Sequence, residues 1–93
     1  MHPGDILKDE IEYRGISQRK LAMQMGISPT LLNEILNGKR AVSTEYALLF
    51  EAALNIDPES LLKMQSDYNM QVAKSDQSFL ERLANIRKIS AVL

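Results

Sequence analysis

The sequence predicts an all-α protein, built from five helices and an additional helix near the C-terminus. Apolar residues recur at helical spacing along most of the 93 residues, and helix-capping residues stand where these patterns begin and end. No stretch alternates cleanly between apolar and polar residues, and Asn37-Gly38 follows a helical pattern rather than joining two β-branched runs. The chain therefore carries helix signals and almost no strand signals.

The first four predicted helices begin or end at recognisable signals. The first is predicted from Gly4 to Arg14, and Gly15 ends it because glycine readily adopts the left-handed conformation of a helix stop. The next three begin at serines, whose side-chain oxygens can accept from backbone amides of the first turn. Pro29 occupies the first position of the third helix, where its missing N–H has no cost. The three serine caps are Ser17, Ser28 and Ser43.

The apolar face of each helix predicts the core. In the order of the first four helices, these faces are Ile6, Leu7 and Ile11; Leu21, Ala22 and Met25; Leu32, Ile35 and Leu36; and Tyr46, Leu49, Phe50 and Ala53. A fifth helix is predicted to open at Asp57-Pro58-Glu59, with a stripe of Leu61, Met64, Tyr68 and Val72.

The helical pattern weakens from Lys74 to Ser78. Ser78-Phe79-Leu80-Glu81 then has the form of a capping box, in which a serine and a glutamate three residues later satisfy each other's amides. The C-terminus is therefore either a sixth helix or a bent continuation of the fifth. We predict two units, residues 1–74 and residues 75–93.

Composition and charge exclude several classes of protein. The chain contains no cysteine, which excludes a disulfide framework and suits a reducing compartment. No apolar run approaches the length of a membrane span, and the first residues lack the pattern of a signal peptide. We therefore expect a cytoplasmic protein with no membrane partner. The net charge is −1, so bulk positive charge gives no argument for nucleic acid.

The segment from Ser17 to Gly38 is the most informative one. Two short helices are predicted to meet across Met25-Gly26-Ile27-Ser28, where glycine allows a tight turn. Ala22 is small where the two helices would cross. This arrangement is typical of a helix-turn-helix, whose second helix places its N-terminal residues in the major groove of DNA.

The outward-facing residues of the third helix are the candidates for reading base edges. If the apolar residues face inward, the polar ones and the first-turn proline face outward. Hydroxyl and amide groups can bond to base edges, and a carboxylate can accept from cytosine. The predicted base-contacting residues are Pro29, Thr30, Asn33 and Glu34.

Other polar and basic residues around the same two helices are candidates for phosphate contacts. Amides, hydroxyls, cations and the free N–H groups of helix starts all bind phosphate oxygens without reading sequence. The predicted phosphate-contacting residues are Gln18, Arg19, Ser28, Asn37, Lys39 and Arg40.

The spacing of these residues resembles a known family. Gln18-x-x-Leu21-Ala22-x-x-x-Gly26-Ile27-Ser28-x-x-x-Leu32-Asn33-x-Ile35-x-x-Gly38 is similar to the phage-repressor (Cro/C1, or XRE) helix-turn-helix family. Four further stretches narrow the resemblance to the HigA-type antitoxins: His2-Pro3-Gly4-Asp5-Ile6-Leu7, Ser17-Gln18, Leu36-Asn37-Gly38-Lys39-Arg40, and Leu61-x-x-Met64-Gln65-x-x-Tyr68.

The resemblance implies a fold and a set of partners. It implies a five-helix domain like that of the lambda repressor, and a homodimer that binds double-stranded operator DNA. It also implies repression of the protein's own operon and neutralisation of an mRNA-cleaving, RelE-like ribonuclease toxin. Two features depart from the pattern: Tyr68-Asn69-Met70-Gln71 lacks the acidic residue and tryptophan that such antitoxins often carry there, and we match the residues after Lys74 to no part of the family pattern.

Other functions remain as alternatives to an antitoxin. The chain could be a stand-alone XRE-family regulator without a toxin, or an interaction module that has lost DNA binding. No nucleophile–base group and no metal-ligand spacing is visible, so we expect no enzyme, no cofactor and no metal. A helix-turn-helix domain is complete without residues 75–93, which favours a dimer or partner contact for that extension.

Overall fold

A computed structural model describes residues 1–92 and shows six helices, which confirms the all-α class and the additional C-terminal helix. The fifth and sixth helices are separate rather than one bent rod. The helices are α1 (Pro3–Tyr13), α2 (Gln18–Met25), α3 (Pro29–Leu36), α4 (Thr44–Leu54), α5 (Pro58–Ser75) and α6 (Gln77–Ser90). No helix within residues 1–92 is both long enough and apolar enough to cross a membrane.

The serine caps predicted for the middle helices are confirmed. The Oγ atoms of Ser17, Ser28 and Ser43 accept from the third backbone amide of their helices at 3.0, 3.0 and 3.2 Å. Each bond satisfies one of the amides that a helix start leaves without an intrahelical partner. These three local bonds fix where α2, α3 and α4 begin.

Two glycines end the helices of the central pair. Gly26 has φ +73° and Gly38 has φ +74°, a region that side-chain-bearing residues rarely adopt. Beyond Gly38, the Lys39 amide donates to the Glu34 carbonyl at 2.9 Å, and the Gly38 amide donates to Ile35 at 3.2 Å. This pair of bonds is a Schellman motif, which turns the chain sharply away from the end of α3.

The core lies among α1 to α5. Phe50 is fully buried and is the largest buried side chain. Tyr46 and Leu49 of the same helix, also predicted as core residues, are half-buried and pack against the core. The other buried apolar residues are Leu7, Ile11, Leu21, Ala22, Met25, Leu32, Ile35, Leu36, Val42, Ala47, Leu54 and Leu61.

The C-terminal part of the chain extends away from this core. α6 has no buried residue and contacts α5. The molecule measures 57 × 21 × 21 Å along its principal axes, so its long dimension is nearly three times either short one. The first half of α5 therefore covers the core, and its second half extends beyond the core. We call this second half of α5 together with α6 the exposed arm.

Three details of the sequence prediction were wrong. α1 begins at Pro3 rather than Gly4, because the ring of His2 caps it. Ile6 is 41% exposed although it was assigned to the core, and Val72 is 52% exposed because α5 has left the core by that point.

The predicted capping box at Ser78 is also wrong, because Asp76 caps α6 instead. Its Oδ1 accepts from the Ser78 and Phe79 amides at 3.1 and 3.2 Å, and from the Ser78 hydroxyl at 2.9 Å. Aspartate brings a negative charge to the positive end of the helix dipole, an advantage that serine lacks.

Candidate nucleic-acid interface

α2, the turn at Gly26–Ser28 and α3 form the predicted helix-turn-helix. The Ile27 amide donates to the Ala22 carbonyl at 3.0 Å, which closes the turn. Ala22 is fully buried where α2 meets its neighbours, and Ile27 packs against the core. The pair therefore has one apolar side toward α1 and α4, and an opposite side that is open.

The start of α3 presents a polar edge on that open side. Pro29, Thr30 and Asn33 are all exposed. Thr30 lies in the first turn, and Asn33 follows it by three residues, so the two side chains share one face of the helix. A hydroxyl and a carboxamide on one face can bond to neighbouring bases. Their contacts with DNA remain a prediction.

Glu34, the fourth residue predicted to contact bases, is only half-exposed and has a partner on the protein. Its Oε2 lies 3.7 Å from Nη2 of Arg40, which stands just beyond the end of α3. The pair is at the surface, so its interaction is weak and easily exchanged for another. Arg40 can leave Glu34 for a phosphate, and the carboxylate is then free.

The predicted phosphate-contacting residues cluster at the ends of α2 and α3. Gln18 and Arg19 are exposed at the start of α2. The Ser28 oxygen accepts from Leu31, which leaves its hydroxyl hydrogen for a phosphate oxygen. The side-chain nitrogen of Asn37 donates to the Asn33 carbonyl at 2.9 Å, so Asn37 is held along the end of α3.

Lys39 and Arg40 lie in a short segment between α3 and α4. We call residues 38–42 the basic loop. Both cationic side chains are exposed, whereas Val42 at the far end of the loop is buried. Their backbone amides both donate to the Glu34 carbonyl, at 2.9 and 3.3 Å. The loop is therefore joined to the end of α3.

The first residues of the chain hold the end of α3. A Cβ on Gly4 would lie 2.5 Å from the Leu36 carbonyl oxygen, so the start of α1 touches the backbone at the end of α3. The positive end of one helix dipole thus meets the negative end of the other. A Cβ on Gly38 would lie 2.8 Å from the ring of His2.

His2 is a structural residue at the same junction. Its Nδ1 accepts from the Gly4 amide at 3.1 Å, and its Nε2 lies 3.3 Å from Oδ1 of Asp5. Its ring meets that of Tyr68 edge to face, with centroids 5.5 Å apart. The sequence analysis gave His2 no role beyond the opening motif, and no pattern in the sequence indicated that it would touch Gly38.

Gln65 is a second residue that sequence reasoning did not assign. It is buried on α5, and its Oε1 accepts from the Val42 amide at 2.8 Å. Its Nε2 donates to Oδ1 of Asn69 at 2.9 Å. The signal available in the sequence was its place in the stretch Leu61-x-x-Met64-Gln65-x-x-Tyr68, four residues after the core residue Leu61.

The resolved pKa shifts lie on α5 and at its two ends, away from the candidate interface. Hydrogen bonds from Ser60 and from backbone amides lower the pKa of the Asp57 carboxyl, and bonds from Ser78 and Phe79 lower the pKa of Asp76. A hydrogen bond to Asp67 raises the pKa of Lys63. Residues 1–92 bring together no group of three or more histidine, cysteine, aspartate or glutamate side chains that could hold a metal ion.

A comparison with protein families supports the helix-turn-helix geometry. A family model described as helix-turn-helix (HTH_3) matches residues 7–61, which is more than half of the chain. The match begins within α1 and ends in the first turns of α5. It therefore includes the helix pair and the basic loop, and it leaves out α6.

Individual relatives extend the similarity over most of the chain. Virulence-associated protein I of Dichelobacter nodosus is 33% identical over 78 residues, which are 83% of this chain and 72% of that protein. An addiction module antidote protein of the HigA family from Coxiella burnetii is 30% identical. Its TM-score is 0.76, with 88% of this chain and 91% of that chain covered.

A third relative was solved together with DNA. The Pseudomonas aeruginosa antitoxin HigA, in a structure with the higBA promoter, is 26% identical to this chain and has a TM-score of 0.75. The comparison covers all of this chain and 94% of that one. Its fold includes a counterpart for the C-terminal part of this chain, which we could not match to the family from sequence.

Proposed function

The chain belongs to the XRE-type helix-turn-helix family, and we propose that it is a DNA-binding repressor and the antitoxin of a type II toxin–antitoxin system. It binds operator DNA in the cytoplasm, represses its own operon and neutralises an mRNA-cleaving, RelE-like toxin. One observation carries the DNA-binding part of this proposal. The first turn of α3 presents the exposed residues Pro29 and Thr30, directly after the turn of a helix pair of the shape that enters the major groove.

The exposed residues divide into two groups by chemistry. Thr30 and Asn33 read base edges, and Asn33 has the carboxamide that pairs with adenine through two bonds. Pro29 contributes an apolar contact and Glu34 accepts from a cytosine amino group. The phosphate contacts come from the ends of the helices and from the basic loop: Gln18, Arg19, Ser28, Asn37, Lys39 and Arg40.

The exposed arm supplies an interface with a second copy. Phe79, Ile86 and Ile89 on α6 are 39%, 49% and 62% exposed, and Met70 on α5 is 55% exposed. Phe79 and Ile86 are seven residues apart and therefore share one face of α6, and a face with exposed apolar side chains is suited to an interaction. A dimer brings two α3 helices to half-sites about one helical turn apart, which matches a palindromic operator. Residue 93, the end of the predicted extension, lies outside the described residues.

The DNA-binding part is tested with the protein's own promoter. Fluorescence anisotropy compares a duplex from the DNA upstream of its gene with a scrambled duplex of equal length and composition. We expect selective binding to the promoter duplex, with two protomers per site. Equal binding to both duplexes, or no binding at micromolar protein and low salt, would contradict it.

The antitoxin part is tested with the neighbouring gene. We expect the adjacent reading frame to encode a small basic protein that stops growth and cleaves mRNA when expressed alone. Co-expression of this chain restores growth, and the two proteins purify together. A chain that binds its promoter but has no toxic neighbour is instead a stand-alone XRE-family regulator.

A further inference from the structure

The basic loop is attached to α5 at both of its ends. At the Gly38 end, the ring of His2 fills the space beside the glycine and contacts Tyr68 of α5. At the Val42 end, the backbone amide donates directly to Gln65 of α5 at 2.8 Å. The exposed residues Lys39 and Arg40 lie between these two attachments.

Gln65 is well suited to fix the loop. It is the single polar side chain that is buried within residues 1–92, and burial of an unbonded amide is costly. Both ends of its carboxamide are bonded, because Asn69 accepts from Nε2 at 2.9 Å while Oε1 faces Val42. Asn69 therefore determines which way the carboxamide points, and the loop amide has a fixed acceptor.

We propose that Gln65 is a positioning residue for DNA binding: it holds the Val42 end of the basic loop so that Lys39 and Arg40 reach phosphates. This inference rests on the proposed DNA-binding function and adds a residue that does not itself touch DNA. Without the Gln65 bond the Val42 end of the loop is free. The Lys39 and Arg40 side chains are then held beside α3 only through the bonds from their own backbone amides to the Glu34 carbonyl.

The salt dependence of binding tests this role, because the slope of log K against log salt concentration counts phosphate contacts. For Gln65→Met, which keeps the length of the side chain but removes the acceptor, we expect the slope to shrink by about 1–2, at about 0.9 per contact. Promoter and scrambled duplexes lose affinity by the same factor. Gln65→Glu keeps an acceptor for Val42 and, with the Asn69 carboxamide turned so that its nitrogen donates to the carboxylate, restores the slope.

Two control variants separate the positioning of the basic loop from a general loss of protein stability. The double variant Lys39→Gln/Arg40→Gln gives the slope with both cations removed, and adding Gln65→Met to it causes no further change in slope. Leu61→Ala weakens the core from the same helix without touching the loop, and at a temperature where it is folded its slope equals that of the unmodified protein.

Several results would overturn the inference. One is a folded Gln65→Met variant whose salt slope equals the steep slope of the unmodified protein on its promoter. This result would contradict the inference and leave the proposed function intact. If the unmodified protein does not bind DNA, the proposed function fails and this inference fails with it. A measurement without substitutions is amide hydrogen exchange: we expect protection at Val42, and free exchange there contradicts the inference even if Gln65→Met does not fold.

Discussion

At the scale of single residues, Gly4 shows how closely two helix ends approach each other. The Leu36 carbonyl oxygen lies 2.5 Å from where a Cβ on Gly4 would stand, and backbone atoms cannot move aside as the end of a flexible side chain can. For Gly4→Ala we expect a loss of about 1–3 kcal/mol in the free energy of unfolding, measured by urea denaturation.

Gly15→Ala is the matched control for that experiment. Gly15 has φ +65° but open space around its Cβ position, so alanine there suffers only backbone strain of about 1 kcal/mol. A smaller loss for Gly4→Ala than for Gly15→Ala would mean that α1 and α3 separate easily. The end of α3 would then be held less firmly by α1 than their close approach implies.

Asn33 and Arg40 differ in the kind of DNA contact that we assign to them. Asn33→Ala should reduce the free energy of binding to the operator by about 1–3 kcal/mol and relax the choice of base at one position. Arg40→Ala should weaken binding to all sequences by a similar factor and reduce the salt slope. Anisotropy with operator and scrambled duplexes separates the two, and equal losses on both duplexes for Asn33→Ala would refute base reading there.

At the scale of helices, the cap of α6 is sensitive to acid. Hydrogen bonds from Ser78 and Phe79 hold the pKa of Asp76 below that of a free aspartate. The ionised cap therefore stabilises α6 above about pH 4, and this contribution is lost as the pH falls through the lowered pKa. We expect far-ultraviolet circular dichroism to show helix loss in this range.

Asp76→Asn provides the control for the acid experiment. Asparagine is also a good cap but does not titrate, so the variant should lack the component of helix loss that belongs to α6. The α5 cap Asp57, whose pKa is also lowered, is the same in both proteins, so its contribution cancels in the comparison. Identical acid transitions would show that Asp76 does not control α6.

α6 can be removed without opening the core, since it has no buried residue. A chain that ends at residue 75 should keep its thermal midpoint of unfolding to within about 5 °C. This shift corresponds to a change of less than about 1 kcal/mol in the free energy of unfolding. The full chain should sediment as a dimer and the shortened chain as a monomer. A shortened chain that fails to fold would show that residues 1–74 are not an independent unit.

Sequence signals predicted the elements well where the interactions are local. Serine caps bond to amides three residues away, and apolar periodicity follows from the helix itself, so α2, α3 and α4 were found with their starts. Two capping signals stand close together before α6, an aspartate at Asp76 and a capping-box pattern at Ser78, and the sequence alone did not decide which of them caps the helix. Periodicity also could not tell that the second half of α5 extends beyond the core, because a stripe has the same spacing whether or not a partner covers it.

The candidate site was predictable only in its outward face. Thr30 and Asn33 follow from which residues of α3 are apolar. The contacts behind the site join Gly4 to Leu36 and Gln65 to Val42, residues that are 32 and 23 positions apart. Such contacts depend on how the helices pack, which one sequence does not specify.

At the scale of the whole molecule, the near-zero charge limits attraction to DNA of any sequence. The net charge is −1, although Arg19, Lys20, Lys39 and Arg40 surround the helix pair. We expect a dissociation constant weaker than about 10 μM for a scrambled duplex at 0.15 M salt. A salt titration by anisotropy checks this, and submicromolar binding to the scrambled duplex would contradict it.

The contacts that hold the basic loop form at different moments of synthesis, because a chain emerges from the ribosome N-terminus first. The His2 ring can meet Gly38 as soon as Gly38 has emerged, whereas its contact with Tyr68 and the bond from Val42 to Gln65 both wait for α5. A nascent chain of intermediate length thus has a complete helix pair and a loop fastened at one end. DNA affinity should mature last, after α5 is made, so incomplete polypeptides would be poor competitors for the operator.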